Sequence, residues 1–290
     1  MVDLTPDTVR TLVREQFPQW SDLPITPVPR QGWDNRTFRL GDDLCVRLPS
    51  GEAYVAGMEK EEGCLPALAK HLPLPVPEVV ATGLPTAWFP FPWSVRRWLP
   101  GSTVDTTPDV DRVTLARDLG GVLTALREAP TRYGLAAGRH SHFRGCHPSV
   151  YGDQVQAALT RLEDTVDVAV CRSIWANALV SAWPLPPVWF HGDVAPGNLL
   201  VIDRRLSAII DFGTCGVGDP ACDLVIAWTY FVGDERRVFA DAVGLPLDTW
   251  RRARGWALWK ALATMAGLSS PDPEGLQARA LVQILADPVV

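Results

Sequence analysis

The chain has 290 residues, 47% of them hydrophobic and 21% charged, with 33 acidic side chains against 27 basic ones and a net charge of −6 at pH 7. This is a globular composition, with enough apolar material for one large domain or two lobes. The acidic balance argues against non-specific nucleic-acid binding, which needs a basic face to neutralise phosphates, and is compatible with a cationic small-molecule partner. No apolar run is long enough to span a bilayer. The first residues, MVDLTPDTVRTL, lack the basic and apolar regions of a signal peptide. Cysteines at 45, 64, 146, 171, 215 and 222 include no Cys-x-x-Cys pair, as expected of reduced, mostly buried thiols in a cytoplasmic protein.

In chain order, Thr5-Pro6 reads as an N-cap followed by proline at the first helical position, with Val9, Leu12 and Val13 on one face. Thr37–Leu40 and Leu44–Leu48 alternate as strands joined by a tight turn at Gly41-Asp42-Asp43. Val55, Met58, Leu65, Leu68 and Leu72 make the apolar stripe of a helix, which Gly63 and Pro66 disturb. Residues 76–83 and 93–99 read as two more strands, the second running into Pro100-Gly101, a stop and a hinge. Beyond it the texture turns helical: one helix carries Leu115, Leu119, Val122, Leu123 and Leu126, and two more lie in 151–183. Short apolar runs at 188–190, 199–202 and 208–211 are strand-like, and 221–290 is Trp-rich and mainly helical. Strands first and helices second predict an α+β fold in two lobes. Residues 1–99 are expected to form an N-terminal lobe of antiparallel sheet with helix, the hinge to lie near 97–101, and 100–290 to form a mainly helical C-terminal lobe.

The chemistry concentrates in His191-Gly192-Asp193-Val194-Ala195-Pro196-Gly197-Asn198, followed by Ile209-Ile210-Asp211-Phe212-Gly213. Phosphoryl transfer needs a carboxylate beside the attacking hydroxyl and oxygen ligands for Mg²⁺ on the phosphates. Asp193 and Asn198 share a Gly/Pro loop that cannot be regular helix, so both can point to one place. Asp211 is expected to end an apolar strand. Three polar groups brought together between apolar strands need a common purpose.

These residues resemble the aminoglycoside phosphotransferase family, small-molecule kinases with a protein-kinase-like two-lobed fold. His191-x-Asp193 with Asn198 resembles its catalytic loop, Ile210-Asp211-Phe212-Gly213 its metal-binding segment, and Gly218–Leu224 the segment that follows. The resemblance implies Asp193 as catalytic base, Asn198 and Asp211 as metal ligands, and His191 and Asp223 as supports of the loop. It implies ATP or GTP with Mg²⁺ as cofactors, and transfer of the γ-phosphoryl group to a hydroxyl of an aminoglycoside-like, cationic acceptor. A metabolic kinase of choline, homoserine or a sugar is the sibling reading, and a non-catalytic nucleotide-binding protein a third. Arg47 stands where this fold carries a strand lysine; it keeps the charge but is bulkier. Its carboxylate partner is expected to be Glu61, with Glu59 and Glu62 competing. No Gly-x-Gly-x-x-Gly is present, and Gly32-Trp33-Asp34-Asn35 is the expected phosphate-covering turn. Arg97, Trp98 and Leu99 are expected to supply backbone groups to the adenine edge. There is no Walker-type Gly-Lys-Ser/Thr, which removes P-loop enzymes.

Some features have blander explanations. Asp219 serves equally well as the cap of a helix starting at Pro220. The His140, His142, Cys146, His147 group holds metal-binding residue types, but its loop-like setting favours a solvated substrate loop over zinc. Trp256 and Trp259, at helical spacing, read as core.

Overall fold

The computed structural model describes residues 3–32 and 34–287. The chain divides into two compact units, Met1–Lys70 with Pro75–Pro100, and His71–Leu74 with Gly101–Val290.

The first unit opens with α1 (Pro6–Gln16), whose start follows the predicted chemistry. The Thr5 hydroxyl accepts from the Thr8 backbone N–H at 3.3 Å, and the Thr8 hydroxyl accepts from the Thr5 N–H at 2.8 Å. Val9, Leu12 and Val13 are buried together with Phe38, Leu40, Val46, Leu48, Trp93 and Val95 of the sheet. Each such side chain contributes about 1.5–3 kcal/mol by leaving water. The sheet comprises β1 (Ile25–Pro27), β2 (Asn35–Leu40), β3 (Leu44–Pro49), β4 (Val79–Gly83) and β5 (Trp93–Arg97). Its order is β1-β2-β3-β5-β4, and every pairing is antiparallel. The tight turn joins β2 to β3, with Gly41 at φ 62°. Strand β1 lies in a Pro-rich stretch that gave no strand signal. Because side chains alternate along β3, Val46 enters the α1 core while Cys45 and Arg47 belong to the opposite face.

Helix α2 (Val55–Leu68) supplies that opposite face. It runs through Pro66, which sits in the last turn, so only one backbone bond near the helix end is lost. The helix stops at Leu68, short of the predicted Leu72. Met58, Cys64, Leu65 and Leu68 are buried as expected, and so is Glu61.

The second unit begins with β6 (Ser102–Thr103) and α3 (Arg112–Glu128), the latter capped by Asp111, which accepts from Thr114 N at 3.0 Å. Helices α4 (Gly152–Arg161) and α5 (Val168–Leu179) follow. Next come β7 (Val188–Phe190), β8 (Leu199–Ile202), β9 (Arg205–Ile209) and β10 (Gly216–Gly218). Strand β8 sits between β6 and β9, while β7 pairs with β10, all antiparallel. The chain ends in α6 (Ile226–Thr229), α7 (Gly233–Val243), α8 (Leu247–Met265) and α9 (Leu276–Ala286).

Helix α8 is buried on nearly all sides, with Trp250, Trp256, Leu258, Trp259 and Leu262 inside. It packs on α4, α5 and α9. A helix with buried side chains on so many of its faces belongs in the middle of a bundle, as here. Among the described residues no helix is long and apolar enough to cross a membrane, and all six cysteines are free thiols.

Candidate active site

The segment 191–198 leaves β7 and enters β8, so its ends are fixed by two different small sheets. Gly192 turns the chain at φ 86°, and a Cβ there would lie 2.7 Å from the Thr214 carbonyl oxygen, so both backbone conformation and space demand glycine. The loop is then tied down from beneath. Asp223, almost fully buried, accepts from His191 N at 2.8 Å through Oδ2 and from Gly192 N at 2.7 Å through Oδ1. Burial pushes the Asp223 carboxyl above its usual range, while His191, Arg127 and the two backbone donors pull against that rise. Asp223→Ala leaves two buried N–H groups unsatisfied, offset in part by relief of the buried charge. The expected loss is about 2 kcal/mol, read from denaturant unfolding.

His191 is wholly buried, and both ring nitrogens are committed. Nδ1 accepts from Asp193 N at 3.2 Å, which leaves Nε2–H to donate to the Ile210 carbonyl at 3.0 Å. That second bond ties the loop to the Asp211 segment, and Ile210 N donates in turn to the Asn198 carbonyl at 2.9 Å. Asp193 itself is exposed. Asn198 Nδ2 donates to both the Asp193 carbonyl and its carboxylate Oδ2, each at 2.9 Å.

Asp211 departs from its predicted setting. Strand β9 ends at Ile209, two residues earlier, and Asp211 takes a left-handed conformation, φ 65° and ψ 67°. A non-glycine residue held there marks a local constraint. The bend brings its Oδ1 within 3.3 Å of where a Cβ on Gly213 would stand.

Asp219 does what its capping explanation requires, accepting from Ala221 N at 3.0 Å. It also takes a second partner that no local pattern announces, the fully buried Arg252 of α8, at 2.6 Å. His140 and His147 are engaged locally, with the Ala136 carbonyl and with Ser149. Among the described residues no group of three or more His, Cys, Asp or Glu is placed to hold a metal ion.

In the first unit, Arg47 of β3 pairs with Glu61 of α2 at 2.7 Å, whereas Glu62 accepts from Thr82. Glu61 has a second cation that sequence reasoning missed: Arg96 of β5, buried, at 2.8 Å. Burial alone would raise the Glu61 carboxyl, but Arg47 and Arg96 outweigh it and hold the pKa at about 2. With its amide oxygen turned toward Arg47, Asn35 accepts from Nε at 3.3 Å and Nη2 at 3.0 Å.

Asn35 therefore opens strand β2 and does not belong to a turn. Asp34 uses its carbonyl to accept from Ser50 N and Oγ, each at 2.9 Å, and Gly32 accepts through its carbonyl from Arg36. Trp33 lies outside the described residues. Arg97 is exposed against Glu78 at 3.5 Å, while Trp98, whose N–H donates to the Asp43 carbonyl, lies beneath the Arg39 guanidinium. Leu99 is half-buried just past the end of β5.

Residues 25–256 match the model of the phosphotransferase enzyme family designated APH. The chain belongs to that family. No curated protein sequence matches it, but its fold recurs in solved structures. The GDP complex of aminoglycoside 2'-phosphotransferase-IIIa superimposes with a TM-score of 0.71 at 18% identity, covering 97% of each chain. A macrolide 2'-phosphotransferase from Brachybacterium faecium, solved as the apoenzyme, gives 0.64 at 23% identity, with 98% of each chain covered. Macrolide 2'-phosphotransferase type I gives 0.64 at 21%, covering 99% of this chain and 100% of that one. These likenesses establish the two-lobed, kinase-like α+β fold, and membership of the phosphotransferase family makes the protein an enzyme of that class.

Proposed function

We propose that this phosphotransferase moves the γ-phosphoryl group of ATP or GTP to a hydroxyl of a small molecule, with Asp193 as the base. The observation that carries this reading is the Asp193–Asn198 clamp. Both contacts from the Asn198 amide nitrogen end on Asp193, one on its carbonyl and one on Oδ2. Asp193 Oδ1 is left to accept the hydroxyl proton, and the Asn198 side-chain oxygen is turned away from that duty.

Asn198 and Asp211 suit a bound Mg²⁺ on the chemistry of their donors. Both offer hard oxygens, and the Asn198 nitrogen is occupied, so its amide presents oxygen. When bound, the ion would neutralise charge building on the phosphates. Asp193 accepts the acceptor's proton as its oxygen bonds to the γ-phosphorus and the bond to the bridging oxygen breaks, releasing the nucleoside diphosphate. His191 is read as a scaffold, because both its nitrogens are spent on holding the Asp193 and Asp211 segments together. Arg47 is proposed to grip the nucleotide phosphates, positioned by Glu61 and Asn35. The Arg97 and Trp98 N–H groups donate to the Glu78 and Asp43 carbonyls, so of these three residues Leu99 is proposed to supply the backbone donor to the adenine edge. The GDP complex of aminoglycoside 2'-phosphotransferase-IIIa supports nucleotide use, and a further structure of similar fold, solved with GDP and kanamycin, supports a hydroxylated acceptor.

A turnover screen over kanamycin, a macrolide, choline and small sugars tests the reading. Hydroxyl-dependent release of nucleoside diphosphate is expected, with the acceptor gaining the mass of one phosphoryl group. Diphosphate release without any phosphorylated product would oppose it.

A further inference from the structure

Asp211 holds its left-handed conformation, φ 65° and ψ 67°, in a segment secured against the loop carrying Asp193 at alternate residues. Ile210 makes two bonds to that loop. Its carbonyl accepts from His191 Nε2 at 3.0 Å, and its N–H donates to the Asn198 carbonyl at 2.9 Å. The Phe212 ring packs against the His191 imidazole, with ring centres 4.6 Å apart and planes at 62°. Thr214 then adds a side-chain bond, its hydroxyl donating to the His191 carbonyl at 3.1 Å.

The Thr214 backbone reaches the same loop. A Cβ on Gly192 would lie 2.7 Å from the Thr214 carbonyl oxygen and 2.9 Å from its Oγ1, so Thr214 fills the space that Gly192 leaves. The turn between Asp211 and β10 closes where Cys215 N donates to the Phe212 carbonyl at 2.9 Å. Gly216 then pairs with Phe190 in the β10–β7 ladder, one residue before His191. The bend at Asp211 is therefore held at both ends, by Ile210 before it and Thr214 after it.

These two clamps ask different things of the sequence. The Ile210 bonds use backbone atoms, which any residue but proline supplies. The Thr214 bond needs a hydroxyl, at a half-buried position where a methyl group could pack but not donate. A non-glycine residue persists in the left-handed region only where its surroundings over-determine it. Without the donor the bend can relax toward ordinary backbone angles, carrying the Asp211 carboxylate with it.

We propose that Thr214 is a positioning residue for phosphoryl transfer: its hydroxyl fixes the Asp211 bend against the loop of Asp193 and so sets the spacing of the two carboxylates. The inference rests on the roles proposed above for Asp193 and Asp211. A misplacement of about 1 Å can cost on the order of 10²-fold in rate, so the bond that seats this bend should be felt in kcat.

The test compares wild type, Thr214→Val and Thr214→Ser as full chains with nucleoside triphosphate and Mg²⁺, offering kanamycin, a macrolide, choline and glucose in turn. Thr214→Val should lower kcat by about 10–100-fold, with the nucleotide dissociation constant and acceptor KM within about threefold of wild type. Thr214→Ser keeps the donor and should hold kcat within about threefold. Hydrogen exchange without ligands gives a readout independent of turnover. Amides 210–215 should exchange faster in Thr214→Val and not in Thr214→Ser, with exchange in α8 unchanged. Thr214→Ala serves in the same way if valine crowds Gly192 and the chain melts early. Wild-type kcat in Thr214→Val, an equal loss in Thr214→Ser, or unchanged exchange at 210–215 would overturn the inference and leave the phosphotransfer reading standing. If the wild type phosphorylates no acceptor, that reading falls and the inference with it.

Discussion

Asp193→Asn is expected to lower kcat by about 10²–10⁴, the range of a lost general base, while the dissociation constant of the nucleotide stays within about threefold. The substitution is nearly isosteric, and the amide keeps one oxygen to accept from Asn198 Nδ2. The backbone carbonyl that Asn198 also contacts is untouched. The loop should therefore hold its shape, because its anchors lie elsewhere, in Asp223 and His191. What disappears, on the role proposed for Asp193, is the acceptor for the hydroxyl proton. Single-turnover transfer measured beside nucleotide titration separates chemistry from binding. A variant that keeps wild-type kcat would remove Asp193 from the mechanism.

The largest stability effect is expected at Glu61. Glu61→Gln removes the buried carboxylate that Arg47 and Arg96 share, and breaking a buried ion pair from one side costs about 3–5 kcal/mol. In a chain of this size that is a fall in Tm on the order of 10 °C. The wild-type protein carries the same energy in its acid profile. The Glu61 carboxyl lies at about 2 in the folded chain against an ordinary 4.5. Its contribution, about 3 kcal/mol, is therefore complete above pH 4.5 and disappears as the pH falls through about 2. Unfolding followed between these limits should show a slope in the wild type that Glu61→Gln lacks. Equal slopes would mean that Glu61 does not carry the two arginines. Arg96→Met should destabilise less, because the Arg47–Glu61 pair survives it, and a double-mutant cycle measures the coupling.

What could be read from the sequence was whatever is written locally. The Thr5-Pro6 cap, the β2–β3 turn and the stripe of α3 follow from spacing over a few residues. The Asp193–Asn198 loop was legible for a related reason: the two residues are five positions apart in a Gly/Pro stretch that cannot be regular helix, and their side chains do meet. Strand β1 was missed because three residues among prolines carry no period. The setting of Asp211 was missed because a left-handed bend after β9 depends on how Ile210 bonds to His191 and Asn198, not on the apolar run before it.

The partners were the least legible. Arg96 meets Glu61 across 35 positions and Arg252 meets Asp219 across 33, and a lone arginine on a strand or helix looks the same whether it is buried or solvated. The position of Arg144 over Trp259 spans a still longer separation. Trp259 did prove to be core, but its ring also seats a cation, which helical spacing alone does not reveal.

The most direct test of the central claim follows the terminal phosphate itself. Wild-type and Asp193→Asn proteins are given nucleoside triphosphate labelled at the γ-phosphate, Mg²⁺ and the hydroxyl acceptors, and the label is traced. Label on the acceptor with the wild type, and none above background with Asp193→Asn at saturating nucleotide, is the predicted result. Label reaching the acceptor equally in both proteins, or reaching only inorganic phosphate in the wild type, would contradict it.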